Sequence, residues 1–108
     1  MRPPYVECNT ACLALMERLG YHVIYFDMNT RDWQYTTPET QERAKVITGE
    51  YLGRGREDGW LSILHDVHWQ TVYNLTGWMF DEMVNGGWRG TTVGECLDDP
   101  VENWYRTP

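Results

Sequence analysis

The segment His65-Asp66-Val67-His68 carries the densest group of chemically active side chains in this sequence. Two imidazoles and a carboxylate so close together suit either zinc binding or acid–base chemistry near neutral pH. Two further carboxylates, Asp27 and Asp32, lie in an earlier polar segment and could orient a histidine. Simpler interpretations stay open at this point: Asp66 caps the next helix, the histidines are incidental, and the two aspartates are solvated turn residues.

The elements that must position these side chains alternate along the chain. We predict, in order, a helix over Thr10–Leu19, a strand over Tyr21–Phe26, a helix over Pro38–Leu52, a strand over Trp60–Leu64, a helix over Gln70–Val84 and a strand over Trp88–Val93. Asn9 and Thr37 have side chains that cap helix starts, and Gly20 suits a helix end. Such alternation is typical of an α/β fold with parallel strands and right-handed crossovers.

This order of elements predicts that three polar segments meet. Asp27–Trp33 follows the first predicted strand, His65–His68 follows the second, and Arg2–Glu7 leads into the first helix as a similar loop. In parallel α/β sheets and barrels, ligands bind at the carboxyl ends of the strands. We therefore expect the three segments to converge on one face.

Length and charge narrow the classes of function. The 108 residues are enough for one domain at most, and the net charge of −7 without a basic cluster argues against a nucleic-acid partner. No apolar run approaches the ~20 residues of a membrane span. No signal peptide follows Met1, because polar sequence begins at once.

Aromatic residues and cysteines give two further constraints. Six Trp and seven Tyr predict a core of large rings, some of which could stack on the faces of sugars. The cysteines Cys8, Cys12 and Cys96 are odd in number. In a secreted protein one of them must stay free or pair elsewhere, whereas in a reducing compartment all three are thiols.

Three motifs follow one another along the sequence: Arg2-Pro3-Pro4-Tyr5, Asn29-Thr30-Arg31-Asp32-Trp33 and Leu61-Ser62-Ile63-Leu64-His65-Asp66. Their order and approximate spacing resemble those of polysaccharide deacetylases, the NodB-homology or carbohydrate esterase family four enzymes. The stretch His65–Thr76 and the tail segments Thr92–Leu97 and Asn103–Arg106 resemble fungal chitin deacetylases in particular. The resemblance covers nearly all of residues 1–108. It implies the C-terminal half of a deacetylase domain, an α/β fold forming a partial (β/α) barrel.

The resemblance also implies roles for the matching residues. His65 resembles the general acid that protonates the leaving amine, and Asp32 resembles the carboxylate that holds this imidazole in its protonated form. Arg2 resembles the arginine that pairs with the catalytic-base aspartate. Tyr5 resembles the residue whose backbone N–H polarises the acetyl carbonyl.

Two residues resemble the apolar pocket for the acetyl methyl group, and two cysteines resemble a bonded pair. Trp33 and Ile63 match the pocket residues, although both could equally be core residues. Fungal members of the family bridge the cysteines that Cys8 and Cys12 match, so we expect this disulfide in an oxidising compartment. Cys96 resembles a cysteine with a partner elsewhere in the family domain and should stay free.

The sequence also departs from the family pattern. Val6 stands where a glycine usually follows the first motif, and Asn29 stands where the family often has an acid. The base aspartate and the metal ligands of the family precede the Arg-Pro-Pro-Tyr motif, with which this sequence starts. We therefore expect zinc in the full-length family and no metal site in this chain, since neither His22 nor His68 matches a family ligand.

Taken together, the resemblance implies part of a metal-dependent deacetylase that hydrolyses the N-acetyl groups of N-acetylglucosamine polymers. We expect the chain to be inactive alone, with chitin or a related polysaccharide as its partner. The alternatives are a non-catalytic carbohydrate-binding or interaction protein, and a fragment with no function. Unpaired strand edges predict poor folding or self-association. The family is usually secreted or wall-associated, but nothing in the sequence directs export, so the location stays open.

Overall fold

The computed structural model describes residues 1–55, 57 and 59–105. Its elements are a 3₁₀ turn at Pro4–Val6, helix α1 at Thr10–Arg18, strand β1 at Met28–Asn29, a 3₁₀ turn at Asp32–Gln34, helix α2 at Pro38–Arg54, strand β2 at Ser62–Ile63, a π-helical turn at Thr71–Leu75, helix α3 at Thr76–Asn85, helix α4 at Val93–Cys96 and a 3₁₀ turn at Val101–Asn103. Arg106, at the end of the second tail segment, lies outside the described residues.

The first two helices begin where their capping residues predict. The Asn9 side chain accepts from the backbone N–H of Cys12 at 3.0 Å at the start of α1. Thr37 and Thr40 form a reciprocal capping box at the start of α2. Gly20 adopts a left-handed conformation (φ 70°) just after α1, as a glycine at a helix end does. These helix predictions are confirmed, and α2 extends to Arg54.

Two of the three strand predictions are wrong. The segment 21–26 is not a strand. Its described backbone hydrogen bonds to the N-terminal segment all involve one residue, Met1. Ile24 N–H donates to Met1 O at 2.8 Å, and the Met1 amino group donates to His22 O. The segment 88–93 is not a strand either. Thr92 and Glu95 form a capping box that starts α4 at Val93, and this Thr-x-x-Glu spacing is itself a helix signal.

The sheet of the described residues consists of β1 and β2. The two strands are parallel, with Met28 opposite Ser62 and Asn29 opposite Ile63. β2 confirms the central part of the strand predicted over Trp60–Leu64, whereas β1 forms within a segment predicted as a turn. The fold therefore mixes helices with a parallel sheet, and the partial barrel stays a prediction.

The predicted third helix exists but contains a π-helical turn. The N–H of Thr76 donates to the carbonyl of Thr71, five residues earlier, instead of four. The extra residue rotates the side chains relative to those of a regular α-helix: Leu75 is fully buried and Met79 is half-buried, but Val72 is exposed. The prediction of a helix over Gln70–Val84 is thus confirmed.

The core lies between α2, the π-helical turn and the sheet. Its fully or nearly buried apolar residues are Met28, Ala44, Ile63 and Leu75, and buried polar residues lie with them: Thr30, Asp32, Gln41, Thr48, Gln70 and Thr71. Buried polar groups are costly unless they are hydrogen-bonded, so their partners decide whether this centre is stable. Across the described residues, no helix is long and apolar enough to cross a membrane.

Candidate active site

Asp32 lies fully buried just beyond β1. The preceding residue, Arg31, is left-handed (φ 55°), which turns the chain sharply between β1 and the 3₁₀ turn that Asp32 begins. The Asp32 carboxylate thereby reaches residues that follow β2. Two polar segments that are far apart in sequence, Asp27–Trp33 and His65–His68, meet at this carboxylate.

Four donors fill the acceptor positions of the Asp32 carboxylate. Oδ1 accepts from Thr30 Oγ1 at 3.1 Å and pairs with His65 Nδ1 at 2.9 Å. Oδ2 accepts from the His65 backbone N–H at 2.7 Å and from Thr71 Oγ1 at 2.8 Å. Because a carboxylate offers about four lone-pair positions, its hydrogen-bonding capacity is fully used.

These hydrogen bonds also decide the charge of Asp32. Burial, the strongest single influence, raises the pKa of the Asp32 carboxyl group. The hydrogen bonds from the His65 side chain, the His65 backbone and the Thr71 hydroxyl together outweigh burial, so that the pKa lies below its ordinary value. Asp32 is therefore a buried anion at neutral pH.

The buried anion fixes the role of each His65 ring nitrogen. An ionised carboxylate can only accept, so Nδ1 must carry the proton that it shares with Asp32 Oδ1. The second nitrogen, Nε2, is left to exchange a proton with a substrate or with solvent. The His65 side chain is 36% exposed while that of Asp32 is fully buried, so the pair joins an accessible proton carrier to an inaccessible charge.

The remaining residues of the histidine segment add little to this pair. The ring centroids of His65 and His68 are 6.3 Å apart, and His68 is half-buried. Residues 1–55, 57 and 59–105 bring together no group of three His, Cys, Asp or Glu side chains that could hold a metal ion. Asp66 is exposed, and none of its described contacts caps a helix.

Arg2 lies beside the two-stranded sheet. Its Nη2 donates to Tyr25 O at 2.9 Å and to Ser62 O at 3.2 Å, so it joins the segment before β1 to β2 itself. Within the described part of the chain it forms no ion pair with a carboxylate. The third predicted segment therefore reaches the sheet through backbone carbonyl groups.

The three predicted substrate-contacting residues differ widely in exposure. Tyr5 is 95% exposed, Trp33 is 50% exposed, and Ile63 is 7% exposed. The carbonyl of Ile63 lies 3.0 Å from Thr30 Oγ1 and shares the single hydroxyl proton of Thr30 with Asp32 Oδ1. A core position suits Ile63, whereas Trp33 presents half of its ring to solvent immediately after Asp32.

The first motif forms a strained turn. Tyr5 and Val6 are both left-handed, with φ values of 53° and 63°. The backbone thus adopts at Val6 the conformation that a glycine permits, although a β-branched residue occupies the position. Nearby, the sulfur atoms of Cys8 and Cys12 are bonded with their Cα atoms 5.2 Å apart, and Cys96 is free and exposed.

Two residues of the carboxylate cluster were missed by sequence reasoning. Thr30 lies inside the second motif and a motif-based search could have included it. Thr71 follows His65 by more than one helical turn, and no local pattern indicates that its hydroxyl reaches Asp32. Thr71 lies at the start of the π-helical turn, which no feature of the sequence predicts.

Comparison with known proteins gives consistent relatives, although no family model matches the chain. It is 38% identical over 107 residues to a chitin deacetylase of Colletotrichum lindemuthianum, covering 98% of this chain and 43% of that protein. It is 39% identical over 107 residues to a probable peptidoglycan-N-acetylglucosamine deacetylase of Arthroderma benhamiae, covering 99% of this chain and 24% of that protein.

A solved structure agrees with the sequence comparison. The chitin deacetylase structure from Colletotrichum lindemuthianum matches with a TM-score of 0.84 and 36% identity, covering 98% of this chain and 47% of that one. The chain therefore spans less than half the length of these relatives. Both the sequence alignment and the structural match extend over 98% of this chain.

Proposed function

Since the chain is related in sequence and structure to the chitin deacetylases and corresponds to part of a polysaccharide deacetylase, we propose that it carries the proton-donating part of the active site. The reaction is hydrolysis of the N-acetyl groups of an N-acetylglucosamine polymer such as chitin. The observation that carries the proposal is the Asp32–His65 pair, in which a buried, fully hydrogen-bonded anion holds an accessible imidazole.

The pair suits the second half of amide hydrolysis. When the C–N bond breaks, the departing nitrogen needs a proton to leave as an amine. The His65 imidazolium donates that proton from Nε2 while Nδ1–H stays on Asp32. The negative charge of Asp32 stabilises the imidazolium before transfer, and its four hydrogen bonds keep the carboxylate from moving as the charge changes.

Residues around the pair receive proposed roles from the same resemblance. The backbone N–H of Tyr5 polarises the acetyl carbonyl, and Trp33 contacts the acetyl methyl group with its exposed ring face. Ile63 shapes the floor of this pocket from the core. Arg2 serves the base aspartate of a full-length deacetylase.

The side chains described here do not fit a zinc ion. No three potential ligands among them come together, so no step of the reaction is derived through a metal. Zinc in full-length members of the family stays an expectation from the resemblance, in which the metal ligands precede the Arg-Pro-Pro-Tyr motif.

We further propose that the chain alone is inactive. General acid–base catalysis contributes ~10²–10⁴-fold to a rate. Enzymes accelerate reactions by ~10⁶-fold or more. The acid pair therefore leaves a factor of at least ~10² in rate unsupplied. We expect no measurable acetate release from N-acetylglucosamine oligomers by the purified chain, with zinc or with a chelator.

A chimeric enzyme tests the proposed role directly. The chain replaces its matching segment in the Colletotrichum lindemuthianum chitin deacetylase, and acetate release from chitin oligomers is measured. We expect activity in the chimera and a loss of ~10²-fold or more in kcat for His65→Ala. His22→Ala is the matched control, because that imidazole pairs with Asp99 at 3.6 Å elsewhere in the chain. A folded, inactive chimera, or equal losses in both variants, contradicts the proposal.

A non-catalytic carbohydrate-binding protein is the second candidate. The rings of Trp69 and Tyr73 lie side by side with centroids 4.8 Å apart and planes tilted by 32°, and the two residues are 66% and 70% exposed. Exposed aromatic rings are suited to contact the apolar faces of sugars. Calorimetry with chitin oligomers should then show binding that Trp69→Ala weakens. Phe80→Ala, which removes another exposed ring, should leave it unchanged.

Self-association is also part of the proposal. Each strand of the described sheet has one hydrogen-bonded neighbour, and open strand edges pair readily with other chains. Sedimentation velocity over a range of concentrations should show a rising mean mass. A constant monomer mass contradicts association.

A further inference from the structure

We propose that Thr71 is a positioning residue that sets the tautomer of His65 through Asp32. This inference rests on the proposed function of the Asp32–His65 pair and assigns it a residue that the resemblance does not. The structure gives no contact between Thr71 and the imidazole ring. Thr71 acts through the Asp32 carboxylate, which is hydrogen-bonded both to Thr71 and to the His65 ring.

Thr71 holds the side of the carboxylate that faces away from the His65 ring. Thr71 is 2% exposed, and its hydroxyl donates to Asp32 Oδ2 at 2.8 Å. The other donor to Oδ2 is the backbone N–H of His65 at 2.7 Å. Without the Thr71 hydroxyl, a single donor would hold Oδ2, and the carboxylate plane could rotate about the Cβ–Cγ bond.

The plane of this carboxylate decides the direction of Oδ1. Thr30 Oγ1 holds Oδ1 at 3.1 Å on one side, and His65 Nδ1 lies 2.9 Å away on the other. A rotation that carries Oδ1 out of line weakens the bond to Nδ1, because hydrogen bonds lose strength steeply with misalignment. The Nδ1–H tautomer then loses its advantage over the Nε2–H tautomer.

The π-helical turn explains how Thr71 reaches this position. An α-helical residue rotates the chain by about 100°, so the additional residue of a π turn changes the direction of side chains that precede it by that amount. The carbonyl of Thr71 accepts from both the N–H and the hydroxyl of Thr76, the latter at 2.7 Å. These two hydrogen bonds to one carbonyl offset the weaker hydrogen-bond geometry of the π turn. In this turn Thr71 faces Asp32 while Leu75 packs in the core.

The chain contains a matched threonine for comparison. Thr48 on α2 is as buried as Thr71, but its hydroxyl has no hydrogen-bond partner among the described residues. Thr71→Val and Thr48→Val therefore remove the same atom from two buried sites. The two substitutions differ in whether that atom holds a carboxylate.

Nuclear magnetic resonance of the ¹⁵N-labelled chain provides the readout. The ratio of Nδ1–H to Nε2–H tautomers of His65 is measured from multiple-bond ¹⁵N–¹H correlations at a pH where the ring is neutral. We expect Nδ1–H to dominate in the wild type, in Thr48→Val and in Thr71→Ser, which keeps the hydroxyl. In Thr71→Val the ratio should fall about fivefold, since one hydrogen bond is lost from the cluster.

Two results would overturn the inference: an unchanged ratio in Thr71→Val, or an equal fall in Thr48→Val. A second measurement needs no substitution and covers the case in which Thr71→Val does not fold. The wild-type Thr71 hydroxyl proton should exchange slowly enough with water to be observed, and its absence from the spectrum contradicts the proposed bond. Neither measurement depends on deacetylation, so failure of the proposed function in the chimera is distinguishable from failure of this inference.

Discussion

The Asp32–His65 pair and the N-terminal arm, residues 1–9, are held in place in different ways. The Asp32–His65 pair is buried, and every acceptor position of its carboxylate is occupied by a donor from the chain itself. The N-terminal arm, residues 1–9, contains two consecutive left-handed residues and the 95%-exposed Tyr5. A disulfide, two bonds from Arg2 to carbonyl groups and the backbone bonds of Met1 to His22 and Ile24 fasten it. The first region is preorganised by its own hydrogen bonds, whereas the second is constrained from its ends.

Removal of the Asp32 carboxylate is the strongest test of this contrast. Asp32→Ala leaves the buried Thr71 hydroxyl without its acceptor and removes the carboxylate from both the ring and the backbone N–H of His65. Breaking one partner of a buried charged pair typically costs ~3–5 kcal/mol, which exceeds a third of the stability of many small domains. We expect a loss of this size in urea unfolding, or an unfolded chain by circular dichroism.

The control for this prediction is Asp81→Ala. Asp81 is exposed on α3, and surface substitutions of this kind usually change stability little. Similar losses in the two variants would mean that the carboxylate cluster does not organise the core.

Acid should weaken the same region without any substitution. The pKa of Asp32 in the folded chain lies below its ordinary value, so its contribution to stability is complete above the ordinary carboxyl pKa and is lost as the pH falls through the folded value. The loss should be smaller than in Asp32→Ala, because a protonated carboxyl group still accepts some hydrogen bonds.

Urea unfolding at a series of pH values measures this effect. The stability of the wild type should decline toward acid pH more steeply than that of Asp32→Asn, and the two curves should approach each other below the folded pKa. Parallel curves over the whole range would show that Asp32 has the same pKa in the folded and unfolded chain.

The N-terminal arm should respond to a different change, namely reduction of its disulfide. A cross-link that closes a loop as short as Cys8–Cys12 contributes ~2 kcal/mol by restricting the unfolded chain. In Cys8→Ser we expect this loss together with faster amide exchange at Val6 and Glu7, whose N–H groups donate within the turn. Exchange at the buried amide of His65 should change much less.

Cys96→Ser serves as the matched control, because this thiol is free and exposed. It should leave both the stability and the amide exchange unchanged. A Cys8→Ser variant with an unaltered arm would show that the contacts of Met1 and Arg2 are sufficient to hold it.

The same contrast explains what the sequence could and could not predict. Helix starts at Asn9 and Thr37 were predictable because capping is a local property of a few residues. The absence of a strand over 21–26 was not predictable, because an apolar run does not show whether another segment will pair with it. The failure at 88–93 was avoidable, since the spacing of Thr92 and Glu95 indicates a helix start.

The site divides along a similar line. Asp32 and His65 came from motifs, and the geometry brings them within 2.9 Å of each other. Thr71 could not be found in this way, because its contact depends on a π-helical turn stabilised by tertiary packing. Roles that require substrate, such as those of Tyr5 and Trp33, stay predictions.

The mildest test concerns the strain in the N-terminal arm. A left-handed conformation costs an L-residue ~1–2 kcal/mol, and the branched side chain of Val6 makes its position at φ 63° an unfavourable one. Glycine adopts this conformation freely, but it loses more backbone entropy on folding, an offset of ~0.5–1 kcal/mol. We therefore expect Val6→Gly to stabilise the chain by ~1 kcal/mol in urea unfolding. Val6→Ala, which keeps a Cβ atom, should gain less. If Val6→Gly is instead destabilising, the side chain of Val6 contributes packing that outweighs its backbone strain, and the arm is held by more than its ends.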